Sequence, residues 1–129
     1  MIRLTPSDIR EIHAVMIERY GGIPGEKEPG WIEYMADKPF MELYGLEQYP
    51  GLFMKAAVYF EGLATHQYFN DGNKRTAYGC MAVFLELNGF QLVVSDEELF
   101  ETALKVANKK MDLEQIKNWI SLHAKPTSH

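Results

Sequence analysis

Cysteine occurs once in this chain of 129 residues, at Cys80, so no internal disulfide can form and a secreted scaffold held by disulfides is excluded. Long apolar runs are missing as well. Met81 to Leu85 is among the longest, far short of the ~20 residues that cross a bilayer, and the opening Met1-Ile2-Arg3-Leu4-Thr5-Pro6 carries no apolar signal region. A cytoplasmic protein without a membrane partner is the expectation. Positive charge is also in deficit, with 13 Lys and Arg against 18 Asp and Glu for a net charge of -5. A nucleic-acid binder needs a basic face to displace counterions from phosphates, so nucleic acid is not expected as the main partner. Repeats and low-complexity tracts are absent, and at ~100–200 residues per domain the chain reads as one domain over 1–129.

What is present suits a helical protein. The chain is 47% hydrophobic and 24% charged, enough for a core that buries roughly two thirds of the surface exposed by the unfolded chain. Thr5, Pro6 and Asp8 read as an N-cap, a first-turn proline and a first-turn acid, followed by Ile9, Ile12, His13, Met16 and Tyr20 at helical spacing. Gly21 and Gly22 end that helix, and the Gly- and Pro-rich stretch to Gly30 is a loop. A short helix over Trp31 to Asp37 follows, then an irregular stretch to Pro50 with room for a small hairpin. Leu52, Ala56, Tyr59, Phe60, Leu63 and Ala64 predict a helix ending near His66, with Gln67 to Asp71 as a polar connector. The next helix, from about Gly72 to Asn88, is apolar nearly all round and is expected at the centre. Gly89 caps it and Phe90 to Val94 is extended. Capping boxes at Ser95/Glu98 and Asp112/Gln115 open two more helices, to about Asn108 and from Leu113 to about His123, and the tail from Ala124 to His129 is expected to fray. The fold class is therefore all-α, with about six helices.

Phe69-Asn70-Asp71-Gly72-Asn73-Lys74-Arg75 joins two helices, and its chemistry is that of an anion site. The first N–H groups of a helix lack internal partners and lie at the positive end of the macrodipole. Gly72 permits close backbone approach, while Lys74 and Arg75 place cations where a helix disfavours them. Such a local conflict marks a functional position. Asp71 offers a hard carboxylate oxygen for magnesium. Alone, the seven residues are equally compatible with a turn and an N-cap carrying solvated charges. Other conspicuous residues have structural readings: His13 as a hydrogen-bonded interior histidine, Phe69 as an apolar anchor, Cys80 as an inert buried thiol, and Glu97, Glu98 and Glu101 as a solvated face. His13, His123 and His129 form no metal-ligand spacing.

With its surroundings, the segment resembles the HxFx(D/E)GN(K/G)R loop of the Fic/Doc family, and its ending Asn73-Lys74-Arg75-Thr76-Ala77 resembles the Doc branch. Arg19-Tyr20-Gly21-Gly22-Ile23-Pro24-Gly25 with Pro29-Gly30, and Phe84-Leu85 through Asn88-Gly89, are further matches, so the resemblance runs from Ile9 to about Val94. It implies a compact helical Fic/Doc-type domain, in which the small hairpin that the irregular stretch has room for would be a flap, and a site for ATP and Mg2+. In that site Asp71 would hold the metal, Gly72 and Asn73 would cradle phosphates, and Lys74 and Arg75 would stabilise charge. It further implies a toxin paired with a Phd-type antitoxin, transferring phosphate to a hydroxyl of elongation factor Tu and blocking translation. The alternatives are AMP transfer to a protein hydroxyl, or a catalytically dead nucleotide- or antitoxin-binding module.

Three departures bear on the chemistry. Tyr78 stands where AMP-transferring members carry a second arginine, and Lys74 replaces their usual glycine; both changes favour phosphoryl transfer. The self-inhibiting S/TxxxE(G/N) motif of the family is not apparent, since Ile12 follows Ser7 and Glu11, so inhibition in trans is expected. Most consequential, Gln67 occupies the position of the family's catalytic histidine, and His66 lies one residue early. An amide cannot take a proton from a hydroxyl at neutral pH. A selected or engineered inactivation, a natural degenerate position, and substitution by His66 are three accounts of Gln67. The reading favoured is an inactive copy of an active toxin.

Overall fold

The computed structural model describes residues 1–127. In chain order the elements are α1 (Pro6–Tyr20), α2 (Trp31–Asp37), a 3-10 turn (Lys38–Phe40), β1 (Glu42–Leu43), β2 (Leu46–Glu47), α3 (Leu52–Thr65), α4 (Asn73–Leu87), β3 (Phe90–Leu92), α5 (Asp96–Ala107), α6 (Leu113–His123) and β4 (Ala124–Pro126). The all-α class with six helices and a small hairpin is what the sequence predicts. Helix starts follow local chemistry. In α1, Thr5 Oγ1 accepts the Asp8 N–H (3.1 Å) while Asp8 Oδ2 accepts the Thr5 N–H (2.8 Å), a reciprocal cap that satisfies two orphan donors. Asp112 and Gln115 do the same for α6. At α5 the expected box is only half made: Ser95 Oγ accepts the Glu98 N–H, but the Glu98 carboxylate turns to His123 Nε2, 2.9 Å away. A tertiary partner displaces the local one.

The centre of the molecule is α3, not α4. Nine residues of α3 are buried against seven of α4, and Leu87, counted in the apolar surface of α4, is 41% exposed. Small residues explain the position of α3. Ala56, Ala57, Gly62 and Ala64 are buried on it, so its neighbours approach closely. A Cβ on Gly62 would lie 2.6 Å from the Met35 Sδ, and one on Gly79 of α4 2.8 Å from the Met16 Cε; α2 and α1 pack into these gaps. Large rings fill the rest. Phe84 meets Tyr59 and Phe40 edge-on at 5.1 and 6.0 Å, and each fully buried side chain of this size contributes about 1.5–3 kcal/mol. The buried Tyr59 hydroxyl donates to the Ala36 carbonyl and accepts the Leu4 N–H, and burial pushes its pKa upward.

Two features of the chain ends and flap escape the sequence patterns. From Ala124 to Thr127 the tail does not fray: β4 pairs antiparallel with β3, aligning Leu92 with Ala124 and Phe90 with Pro126, and Thr127 N–H donates to the Gly89 carbonyl (2.9 Å). Ser128 and His129 lie outside the described residues. The β1–β2 hairpin pairs Glu42 with Glu47 and Leu43 with Leu46. It is pinned by Lys55, a lysine only 1% exposed on α3, whose Nζ donates to Glu47 Oε1 (2.8 Å) and to the Tyr49 carbonyl.

Candidate active site

The loop between α3 and α4 is shaped by its own side chains. His66 caps α3, and Gln67 adopts a left-handed backbone with φ +51°, a conformation that costs a non-glycine residue about 1 kcal/mol. The connector expected to be polar then turns inward. Tyr68 and Phe69 are buried, because the turn at Gln67 aims them at the core. Phe69 stacks on His13 of α1 with ring centroids 3.7 Å apart and planes 8° from parallel. Asn73 closes the loop: its Oδ1 accepts the Phe69 N–H and its Nδ2 donates to the Phe69 carbonyl, both at 3.0 Å. Its side chain is thereby a latch, and only its backbone remains available to a ligand. The Asp71 carbonyl accepts from His13 Nε2 (2.8 Å), and Asp71 Oδ2 accepts the Ile23 N–H (2.7 Å).

The Gly- and Pro-rich loop is the outer wall of this arrangement. The Asn70 N–H donates to the Gly25 carbonyl and its Nδ2 to the Pro24 carbonyl, while the Lys27 N–H donates to the Tyr68 carbonyl. Arg10 holds this wall to α1 through bidentate contacts with Glu26 (2.9 and 3.1 Å) and a further pair with Glu33 (2.6 Å). Its guanidinium draws the Glu26 carboxyl below its ordinary range.

α4 starts at Gly72, in a left-handed conformation (φ +76°) and without a side-chain cap. Helices α2 and α3 also start uncapped at glycines; what distinguishes α4 is where its first turn points. Gly72, Asn73 and Lys74 line a polar cavity of about 230 Å³ together with Gln67, Asn70, Asp71, Ala64, Ala107 and Asn108. Among the described residues no protein acceptor meets the Gly72, Asn73, Lys74 and Arg75 N–H groups. Of the expected site residues, Gln67, Asp71, Gly72, Asn73 and Lys74 come together here. Arg75 does not: it lies over the Tyr20 ring at 4.1 Å and near Phe100 at 5.8 Å. Ala107 and Asn108, from the end of α5, are lining residues that the sequence reading did not include. They carry no local signal, because their place depends on packing alone.

His66 does not reach this cavity. Its Nδ1–H donates to the Gly62 carbonyl (3.0 Å) and its ring stacks on Tyr68 at 5.4 Å, which turns it toward a neighbouring aromatic cavity of about 390 Å³ lined by Trp31, Tyr34, Tyr68, Lys27 and Lys38. Gln67 lines both cavities. A larger cavity, about 600 Å³, lies elsewhere between α1 and α4 and holds no comparable chemistry.

The residues fit a phosphate-bearing ligand. Unpaired N–H groups at a positive helix end and one lysine suit an oxyanion. For a cation the fit is narrower, since no three His, Cys, Asp or Glu converge among the described residues. Asp71 would then be a single protein ligand, as suits magnesium completed by phosphate oxygens and water.

The sequence that builds this arrangement is similar to that of known proteins. The sequence profile of the Fic/DOC family matches residues 3–85. The chain is 35% identical over 97 residues to the protein kinase Doc of Escherichia phage P1, covering 75% of this chain and 76% of that one. It is 34% identical over 99 residues to the toxin Doc of Mycolicibacterium smegmatis, with the same coverage of each chain. With the loop, the helix it opens and the wall behind it all in place, this chain belongs to the Fic/DOC family.

Proposed function

We propose that this protein is a Doc-type toxin scaffold whose α4 N-terminus binds the phosphates of ATP with Mg2+, and that Gln67 leaves it without the base needed for transfer. The observation that carries the reading is the uncapped first turn of α4, opening with Lys74 onto a polar cavity whose rim is Gln67. ATP would supply a phosphoryl group for a protein hydroxyl, with elongation factor Tu as the target and arrest of translation as the outcome. The backbone from Gly72 to Lys74 binds the phosphate oxygens, and Lys74 stabilises their charge through the transition state. Asp71, fixed by Ile23, orients the cation. Arg75 gives longer-range positive potential from its place over Tyr20.

Gln67 stands between the phosphate cavity and the aromatic cavity, where a proton must leave the acceptor hydroxyl. It can orient that hydroxyl by hydrogen bonding but cannot hold its proton. The same change favours a second reading, a nucleotide- or antitoxin-binding module. The partner in either case is a Phd-type antitoxin. Its helix would dock in the 600 Å³ groove of α1 and α4, where Ile12, Val15, Met16 and Val83 offer an apolar floor between Glu11 and Glu18. An amphipathic helix with basic flanks fits that groove.

Gln67→His tests the assignment. Histidine tolerates the left-handed backbone of this position, and general-base catalysis contributes ~100- to 10,000-fold. With ATP labelled at the γ-phosphate, the variant should label elongation factor Tu and slow growth. Label carried only from the α-phosphate would replace phosphoryl transfer by AMP transfer; no label from either would leave the binding module.

A further inference from the structure

The anion site depends on one peptide group whose orientation its own residues do not set. Gly72 has no side chain, so the Asp71–Gly72 peptide is free to present either its carbonyl oxygen or its N–H to the cavity at little steric cost. The two states are opposite in effect. An N–H toward the cavity attracts phosphate, and a carbonyl oxygen repels it.

His13 decides between them. It lies on α1, is 5% exposed, and hydrogen-bonds through Nε2 to the Asp71 carbonyl at 2.8 Å. Its ring is fixed by stacking on Phe69. Because a trans peptide directs its C=O and N–H to opposite sides, drawing the Asp71 oxygen toward α1 turns the Gly72 N–H away from α1. No residue of α1 lines the 230 Å³ cavity, whereas Gly72 does. The fit against α1 is close: a Cβ on Gly72 would lie 3.2 Å from the Ile17 Cδ1 and 3.7 Å from the His13 ring.

We infer that His13 is a positioning residue of the phosphate site, acting through the Asp71 carbonyl to present the Gly72 N–H to the anion. The inference rests on the reading of the α4 N-terminus as a phosphate site. It requires the tautomer with the proton on Nε2, since a carbonyl only accepts.

The test uses the full chain with inorganic tripolyphosphate as the probe, followed by calorimetry and by the Gly72 amide resonance. In the wild type the Gly72 amide should shift on titration. His13→Phe keeps a ring against Phe69 but removes the donor; it should weaken binding about tenfold, the worth of one hydrogen bond to a charged group, and abolish the Gly72 shift. His13→Gln restores a donor and should recover most of both. A folded Phe variant that binds like the wild type, with the Gly72 shift intact, overturns the inference while leaving the phosphate site standing. Absence of any binding by the wild type removes site and inference together. Nitrogen shifts of the His13 ring in the wild type give a check that needs no variant: a proton on Nε2 supports the inference, and a neutral ring with its proton on Nδ1 overturns it.

Discussion

Asn73 shows what a sequence leaves open at one residue. Its place in the segment expected to cradle phosphates does not say whether backbone or side chain would serve, and both ends of its amide are spent on Phe69. Lys74 and Asn73 should therefore separate by experiment. Asn73→Ala removes two hydrogen bonds that close the loop and should lower unfolding free energy by about 1–2 kcal/mol, measured by urea denaturation. Lys74→Ala should leave that transition within about 0.5 kcal/mol, as a surface change does, and act on ligand affinity alone. The residue types of the site were legible because anion chemistry needs a glycine, cations and an acid near a helix start. The partners of those residues were not. His13 lies 58 positions from Asp71 and Ile23 lies 48 away, and no local pattern links them. The separation of Arg75 from Lys74 likewise follows from the rings of Tyr20 and Phe100, which belong to distant segments.

At the scale of elements, a helix opened by a side-chain cap was readable from local sequence: Leu113–His123, behind the Asp112/Gln115 box, is observed as the sequence predicts. Trp31–Asp37 is also observed as predicted, although no side chain caps it. An element that depends on a tertiary partner was not readable: β4 exists because β3 is there to pair with it. The hairpin was foreseen, but not the buried Lys55 that holds it, which no periodicity announces. Removing Glu47 and removing Lys55 should accordingly differ. Glu47→Ala leaves a buried ammonium with only the Tyr49 carbonyl as its hydrogen-bond acceptor and should cost about 2 kcal/mol, below the range for fully buried pairs because Glu47 is 51% exposed. Lys55→Met removes the charge itself at similar volume and should cost less; thermal melts of the two variants give the order. The wall of the site carries a pH dependence. Arg10 holds the folded-state pKa of Glu26 below its ordinary 4.5, so the stability from this pair is present above that value and is lost as pH falls through the lower, folded value. Arg10→Gln should remove that part of the acid sensitivity, read as a flatter dependence of unfolding free energy on pH below about 4.5.

Across the whole molecule, two surfaces correspond to the two proposed binding events. The polar cavity at α4 faces away from α1, and the apolar groove runs along α1 and α4 with Val15 42% exposed on its wall. On that proposal, antitoxin docking and nucleotide binding are separable. Val15→Glu should abolish binding of the antitoxin's C-terminal helix, followed by fluorescence anisotropy, and leave ATP affinity unchanged. The Gly- and Pro-rich loop, which reads in sequence only as a break between helices, ties the α3–α4 loop to α1 through the Ile23–Asp71 and Glu26–Arg10 contacts. The central claim is that the first turn of α4 binds phosphate. It is tested most directly by calorimetric titration of ATP into the chain, with and without Mg2+, for the wild type, Lys74→Ala and Arg75→Ala. The account predicts magnesium-dependent binding that weakens at least about tenfold in Lys74→Ala, as loss of a charge-assisted contact implies, and by less in Arg75→Ala. Equal affinity in all three proteins, or binding by none of them, would contradict it.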